Sequence, residues 1–330
     1  MTLLFLFINM KNKTIVAIDG DLISFKAAAA NEERTIEAKH IPSGRVKTFK
    51  HRTEMKKEID LEKFPLEDFE ITDVQTCEDI SHALYTVKHM VQGIVEKAEA
   101  DSIEMYMSGN DNFRDTLPLP EKYKGNRDDT IRPVQLKEVR EFLTKKYKAV
   151  TYHGEADDYL SIRQWQERDS GVKLVVASID KDTYGCEGWM LNWDKMDKPF
   201  QVEGLGKLWI DEKGKVWGYG FKWKCLQWIV GDSVDNLKPT FLSGVKFGEK
   251  GAFKILDPLD SYDECIRAVM RKYKEWYPEP VKYVDQCGKD VNASWLDLMQ
   301  TYFLGIHMKR WETDTPSVEE MLVRIGELNG

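Results

Sequence analysis

The chain has 330 residues with 42% hydrophobic content, enough for a sizeable buried core in one large domain or two modest ones, and carries a formal net charge of −8. Its five cysteines (Cys77, Cys186, Cys225, Cys265, Cys287) are odd in number and free of any C-x-x-C pair, which argues against a disulfide framework or a zinc site and fits a reducing cytoplasm. The acidic total does not exclude nucleic acid as a partner, because charge is segregated: from Lys122 to Lys148 nine Lys/Arg stand against four acids.

Met1 to Ile8 is apolar but lacks a positive flank and a cleavage signal and is far too short to span a bilayer, so no membrane partner is expected. A second methionine, Met10, precedes the first convincing strand, and residues 1–9 read as an extension that adds nothing to the fold. Thr14 to Ile18 is β-branched and apolar and reads as a buried parallel strand ending in Asp19-Gly20-Asp21, with Leu22 to Ala30 as the helix that follows. Residues 31–76 are polar and mixed, with a turn at Ser43-Gly44, and predict hairpin-like excursions outside the core. Ile80 to Ala98 has helical spacing and Ile103 to Met107 is a short strand.

Residues 109–133 hold Asn, Asp, Gly, three prolines and many charges, which predicts a mobile or arched insertion, and Val134 to Tyr147 returns to a basic helical pattern. A strand over Ala149 to Tyr152, a helix over Asp157 to Gln166 and a strand over Lys173 to Ile179 continue the alternation. Trp189 to Gly220 reads as short aromatic antiparallel strands with a tight turn at Glu212-Lys213-Gly214, and from Lys222 nearly everything reads as helix. The prediction is an α/β fold, a mostly parallel sheet flanked by helices. Residues 1–220 form its core, including an insertion at about 109–148, and residues 221–330 a helical region packed on that core.

Carboxylates gather at the ends of the apolar runs: Asp19 and Asp21; Glu155, Asp157 and Asp158; Asp180 and Asp182; Asp232 and Asp235. In open α/β sheets the working crevice lies beyond the carboxyl ends of the strands, where these acids fall. Pairs two apart in extended chain, or three apart on a helix, face one way. Like charges so crowded raise one another's pKa, and divalent cations relieve the repulsion; oxygen ligands without His or Cys select Mg²⁺ or Mn²⁺. For any single pair an N-cap role is the commoner explanation, but a cap needs one acid and these places offer two or three.

These residues resemble the bacteriophage and bacterial 5′-nuclease family, the flap endonucleases and 5′-to-3′ exonucleases with a PIN-like core, over most of the chain. The resemblance rests on Ile18-Asp19-Gly20, Glu155-Ala156-Asp157-Asp158, Ser178-Ile179-Asp180-Lys181-Asp182 and Gly231-Asp232-Ser233-Val234-Asp235-Asn236. It implies metal ligation by Asp19, Glu155, Asp157, Asp158, Asp180, Asp182, Asp232 and Asp235. Tyr123-Lys124-Gly125-Asn126-Arg127 resembles the family's helical-arch motif, which implies that Lys124 and Arg127 act on the scissile phosphate and that Tyr123 belongs to the DNA-binding set. Gly244-Val245, Gly248 and Lys250-Gly251-Ala252 resemble its helix-hairpin, which grips duplex backbone and often binds K⁺. Lys238 to Ser243 lengthens the approach to that hairpin, and where the family usually has an Asp after the second strand Tyr106-Met107 leads into Ser108-Gly109-Asn110-Asp111, so that either Asp111 substitutes or that ligand is absent; Asp21 is a further acid.

The resemblance therefore implies a monomeric, cytoplasmic, two-metal 5′ nuclease of phage DNA replication or degradation, acting on DNA with a free 5′ end in duplex or flap. RNA in RNA/DNA hybrids stays open as a substrate. One rival is a haloacid-dehalogenase-like phosphatase using Asp19 and Asp21, which leaves the acidic block and the basic motif unused. Another is a non-catalytic DNA-binding protein whose acids cap helices. Trp189, Trp193, Trp209, Trp217, Trp223 and Trp228 are assigned to packing, and the histidines, His153 included, to structure.

Overall fold

Thr14, Ile15, Val16 and Ile18 are β-branched, and no polar residue breaks the run before Asp19, so this segment extends as a buried strand. The computed structural model describes residues 13–128 and 130–329; the extension read at residues 1–9 lies outside them. Along the chain the strands are β1 (Thr14–Asp19), β2 (Glu32–His40), β3 (Val46–Phe49), β4 (Phe69–Cys77), β5 (Ser102–Met107), β6 (Val150–Thr151) and β7 (Lys173–Ala177). They continue with β8 (Gly188–Leu191), β9 (Phe200–Val202), β10 (Lys207–Ile210), β11 (Val216–Tyr219), β12 (Val281–Val284) and β13 (Asp290–Ala293).

Two compact units divide the chain. The larger takes the described residues up to Asp21, Gln92–Thr130 and everything from Tyr147 on. Its central sheet has the order β6-β5-β1-β7-β8-β9, parallel throughout except for β9. This is the α/β, mostly parallel sheet expected from the sequence. Ala17, Leu160, Val176 and Met190 pack between that sheet and the helix Ala156–Glu167. A second, larger core is built from the helices Gly220–Val230, Glu249–Leu256, Tyr262–Trp276 and Trp295–Ile306. There Trp223, Trp228 and Tyr273 are fully buried, and the Trp228 indole N–H donates to the Met299 carbonyl at 2.9 Å, so its polar atom is satisfied. The region after Lys222 is not all helix: Val281, Tyr283 and Val291 favour extended chain, and β12 pairs with β13 as a hairpin.

The smaller unit joins 22–91 to 131–146. Residues 31–76, expected outside any core, form the sheet β3-β2-β4. Alternation along β2 puts Ile36 and Ala38 on one face, where they bury with Phe49 and Met55 as a satellite core. The remote segment is tied in by Val134 N to Glu32 Oε2 at 2.9 Å and by Gln135 Oε1 to Asn31 Nδ2 at 2.7 Å. No helix among the described residues is long and apolar enough to cross a membrane.

Gly231 ends the helix Gly220–Val230 with φ 75° and ψ −162°, a conformation essentially reserved for glycine, and its N–H still reaches the Gln227 carbonyl at 2.6 Å. A Cβ there would lie 2.1 Å from the Leu237 carbonyl oxygen. Gly231→Ala is expected to cost about 2 kcal/mol or more, combining backbone strain and steric clash. An unchanged midpoint of urea unfolding would contradict this.

Candidate metal centre

The carboxyl ends of β1, β5, β6 and β7 deliver the candidate residues. Asp19 ends β1 beside Tyr106 of β5, is 4% exposed, and receives the Ser178 hydroxyl at 3.3 Å and the Asp21 N–H at 3.0 Å. Beyond β7 the Ser178 hydroxyl accepts from Asp180 N, and Asp180 caps the turn Lys181–Gly185 by accepting from Asp182 N at 3.0 Å. Beyond β5, Ser108 accepts from Ala156 N through its hydroxyl and donates its own N–H to Asp21 at 2.7 Å. That pair of bonds registers the start of the helix Ala156–Glu167 against the end of β1.

Asp157 and Asp158 are adjacent on this helix and therefore diverge. Asp157 is buried. Burial first, then the neighbouring charges of Asp19, Asp180 and Glu155, holds its carboxyl well above the ordinary carboxylate range. Its Oδ1 is buried without a hydrogen-bond partner, an orphaned acceptor facing like charges. Asp182 is raised in the same way, by burial first and then by Asp180 and Asp232, although Gln227 Nε2 donates to its Oδ1 at 2.5 Å. Asp180 thus acts on both Asp157 and Asp182. Asp232 receives Lys181 Nζ at 3.0 Å and Val234 N at 2.8 Å.

Asp158 has a different environment. Although Asp158 and Glu155 do share a face, that face meets Arg114, whose Nη1 lies 2.7 Å from Asp158 Oδ2 and 2.8 Å from Glu155 Oε2. Arg114 is 1% exposed; its Nη2 also reaches Asp158 Oδ1 at 3.1 Å and the His307 carbonyl at 2.7 Å. With Lys309 N donating to Oδ1 at 3.1 Å, the Asp158 carboxylate is engaged by the protein itself. Arg114 has no signal in the sequence: it sits in a polar loop, and only the fold reveals the acids above it. His307, likewise unremarkable in sequence, bridges Asp314 and Lys224 through its ring, and burial lowers its pKa to about 4.

The expected arch is anchored, not free-standing, where its basic motif lies. Tyr123 is buried and its hydroxyl donates to Asp235 Oδ2 at 2.9 Å and Glu155 Oε2 at 3.2 Å. Lys124 adopts left-handed backbone, φ 54°, with its N–H on the Asp235 carbonyl at 2.9 Å and its ammonium on Glu155. Arg127 reaches Asp235 Oδ1 at 2.5 Å, and Asn126 Nδ2 donates to the Ser233 carbonyl at 2.8 Å. Burial pushes the Asp235 carboxyl up in spite of these cations. Asp111 lines a cavity of about 450 Å³ with Asp115, His153, Asp158 and Lys309. Gly244, Val245 and Lys250 are exposed on the turn and first residues around the helix Glu249–Leu256, which Gly248 caps.

Among the described residues no three Asp, Glu, His or Cys side chains close round one point as a finished ion cage. The donor set nevertheless fits hard divalent cations: oxygen only, buried or half-buried, crowded with like charge, and with the orphaned Asp157 Oδ1.

No family model and no curated sequence matches the chain. It is similar in structure to the D15 protein of T5 co-crystallised with metal ions, at 15% identity and a TM-score of 0.45 over 95% of this chain and 97% of that one. A second structure, bacteriophage T5 D15 flap endonuclease in a pseudo-enzyme–product complex with DNA and metal ions, gives 13% identity and a TM-score of 0.41 over 89% of this chain and 98% of that one.

Two stability outcomes follow from the charges. Arg114→Ala leaves Asp158 buried and unpaired and is expected to cost about 3–5 kcal/mol, while Arg114→Met with Asp158→Leu recovers much of it. A denaturant series in which the double variant is as weak as the single one would contradict the pairing. Asp157 holds its proton more tightly folded than unfolded, so its contribution destabilises as pH rises through and above the ordinary carboxylate range. Without divalent ions, Asp157→Asn should therefore raise the melting temperature near neutral pH and lose that advantage in acid; an identical melting temperature at both would refute the assignment.

Proposed function

We propose that the chain is a divalent-metal-dependent nuclease that hydrolyses phosphodiester bonds at or near the 5′ ends of duplex or flap DNA. The observation that carries this reading is the orphaned Asp157 Oδ1 in a group of acids where Asp180 neighbours both Asp157 and Asp182, accepting from Asp182 N at 3.0 Å. One carboxylate shared between two acidic groups suits a pair of ions better than one. Asp19, Glu155, Asp157 and Asp180 would hold the first Mg²⁺, and Asp180, Asp182, Asp232 and Asp235 the second, with Mn²⁺ as a substitute. Bound there, divalent ions would supply Lewis acidity to activate water near neutral pH and to offset charge on the leaving oxygen.

The chain's own residues do the rest. Lys124 and Arg127 place positive charge beside Glu155 and Asp235, where phosphate would enter the site. Tyr123 positions them, since its buried hydroxyl links the same two carboxylates. Arg114 orients Glu155 and Asp158 through hydrogen bonds to both carboxylates. The exposed turn from Gly244 to Lys250, with backbone N–H groups at the start of the helix Glu249–Leu256, suits duplex phosphates, and its main-chain carbonyls would take K⁺. Because these contacts address phosphates, cleavage depends on strand structure more than on base sequence, and binding weakens steeply with salt. A monoester phosphatase is less well served, because Asp21, its candidate acid, accepts from Ser108 N and anchors the end of β5.

Asp180→Ala is expected to lower Mg²⁺-dependent hydrolysis of a 5′-labelled duplex by at least about a hundredfold, because each ion supplies several kcal/mol at the transition state. Product mapping by gel is the measurement, and wild-type cutting by this variant would overturn the proposal.

A further inference from the structure

The hairpin β10–β11 lies outside the carboxylate cluster and has two unlike faces. In its register Lys207 opposes Tyr219 and Trp209 opposes Trp217, so alternation puts these four side chains on one face. On the opposite face Leu208, Val216 and Gly218 are buried, and Ile210, next to the turn, is exposed. The outward face of such a ribbon is ordinarily polar. Here it is aromatic. Trp209 is 41% exposed, and Tyr219, Phe200 and Tyr184 follow it in a chain of edge-on contacts with centroids 5.8–6.2 Å apart. Together with Trp217 and Met196 they line a cavity of about 550 Å³.

Cations edge this cavity. Lys195 Nζ stands 4.3 Å from the Trp217 ring centre and Lys215 Nζ 4.4 Å, while Lys207 Nζ is 5.9 Å from Trp209 and 5.8 Å from Tyr219. The acid in the lining, Asp211, is committed to the turn: it accepts from Trp217 Nε1 at 2.7 Å and from the N–H groups of Lys213 and Lys215. Its charge is absorbed locally and the lysines set the sign of the surface.

We propose that this face is a second nucleic-acid contact, in which bases of a single-stranded segment stack against Trp209 and Tyr219 and the adjoining phosphates lie beside Lys195 and Lys207. Flat rings interleaved with ammonium groups complement a base and its phosphate, whereas an apolar peptide would leave the lysines unpaired. A duplex hides its base faces, so the segment must be unpaired. The choice of a strand as occupant rests on the nuclease reading above; the pocket itself does not.

The test measures fluorescence anisotropy of a labelled oligothymidylate of about ten residues, without divalent ions, against wild type, Trp209→Ala, Trp209→Phe and Lys207→Glu. All variants keep Lys124 and Arg127, and Trp209 and Lys207 are exposed, so a loss reports on this face and not on folding. Trp209→Ala and Lys207→Glu should each weaken binding by about tenfold, with Trp209→Phe close to wild type because a stacking ring is retained. Wild-type affinity in both weakened variants would overturn the proposal, and so would free thymidine monophosphate displacing the oligomer as well as the oligomer displaces itself. A wild-type protein that binds the strand through these residues yet cuts no DNA would support this contact and sink the nuclease reading alone.

Discussion

A guanidinium sealed from water beneath a group of acids is the contact on which the site depends. Arg114 reaches Asp158 through two nitrogens, and it touches Glu155 and two backbone carbonyls, from Gly305 and His307. Bare carboxylates in that volume would protonate or spread apart. With Arg114 in place, Asp158 becomes part of the frame, while burial and the neighbouring carboxylates bear on Asp157 and Asp182. The same guanidinium ties the loop after β5 to the end of the helix Trp295–Ile306, so one charge joins the sheet to the helical core.

The fold was legible wherever periodicity was strong. The β-branched run of β1, the helical spacing over Ile80–Ala98 and the apolar β7 all appear where the sequence puts them, because each buries a face that its period defines. The segment 31–76 was harder: only Ile36, Ala38, Phe49 and Met55 bury in its core, too few apolar residues to stand out from a polar stretch. The anchoring of Tyr123 to Arg127 was also hidden, since it uses backbone groups of residues 233–235 that no composition reveals.

For the site, spacing predicted which acids share a face but not what the face would meet. Glu155 and Asp158 are paired as their separation of three implies, and an arginine from a remote loop lies opposite. Tryptophan density was ambiguous in the same way. Trp223 and Trp228 pack in the core as expected; Trp209, on the other side of a two-stranded ribbon, faces water. The hairpin register puts Trp209 opposite Trp217 and on the face away from Leu208, and the turn at Asp211, whose carboxylate gathers the N–H groups around it, sets that register.

The central position of β1 has a consequence for biosynthesis. This strand precedes both of its partners in the chain, so one edge waits for Ser102–Met107 and the other for Lys173, the partner of Thr14. Until then an apolar ribbon with open hydrogen-bonding edges is held only by local structure, a state that invites pairing with the wrong chain. Slow emergence of the segment that runs to Ala177 would lengthen that exposure.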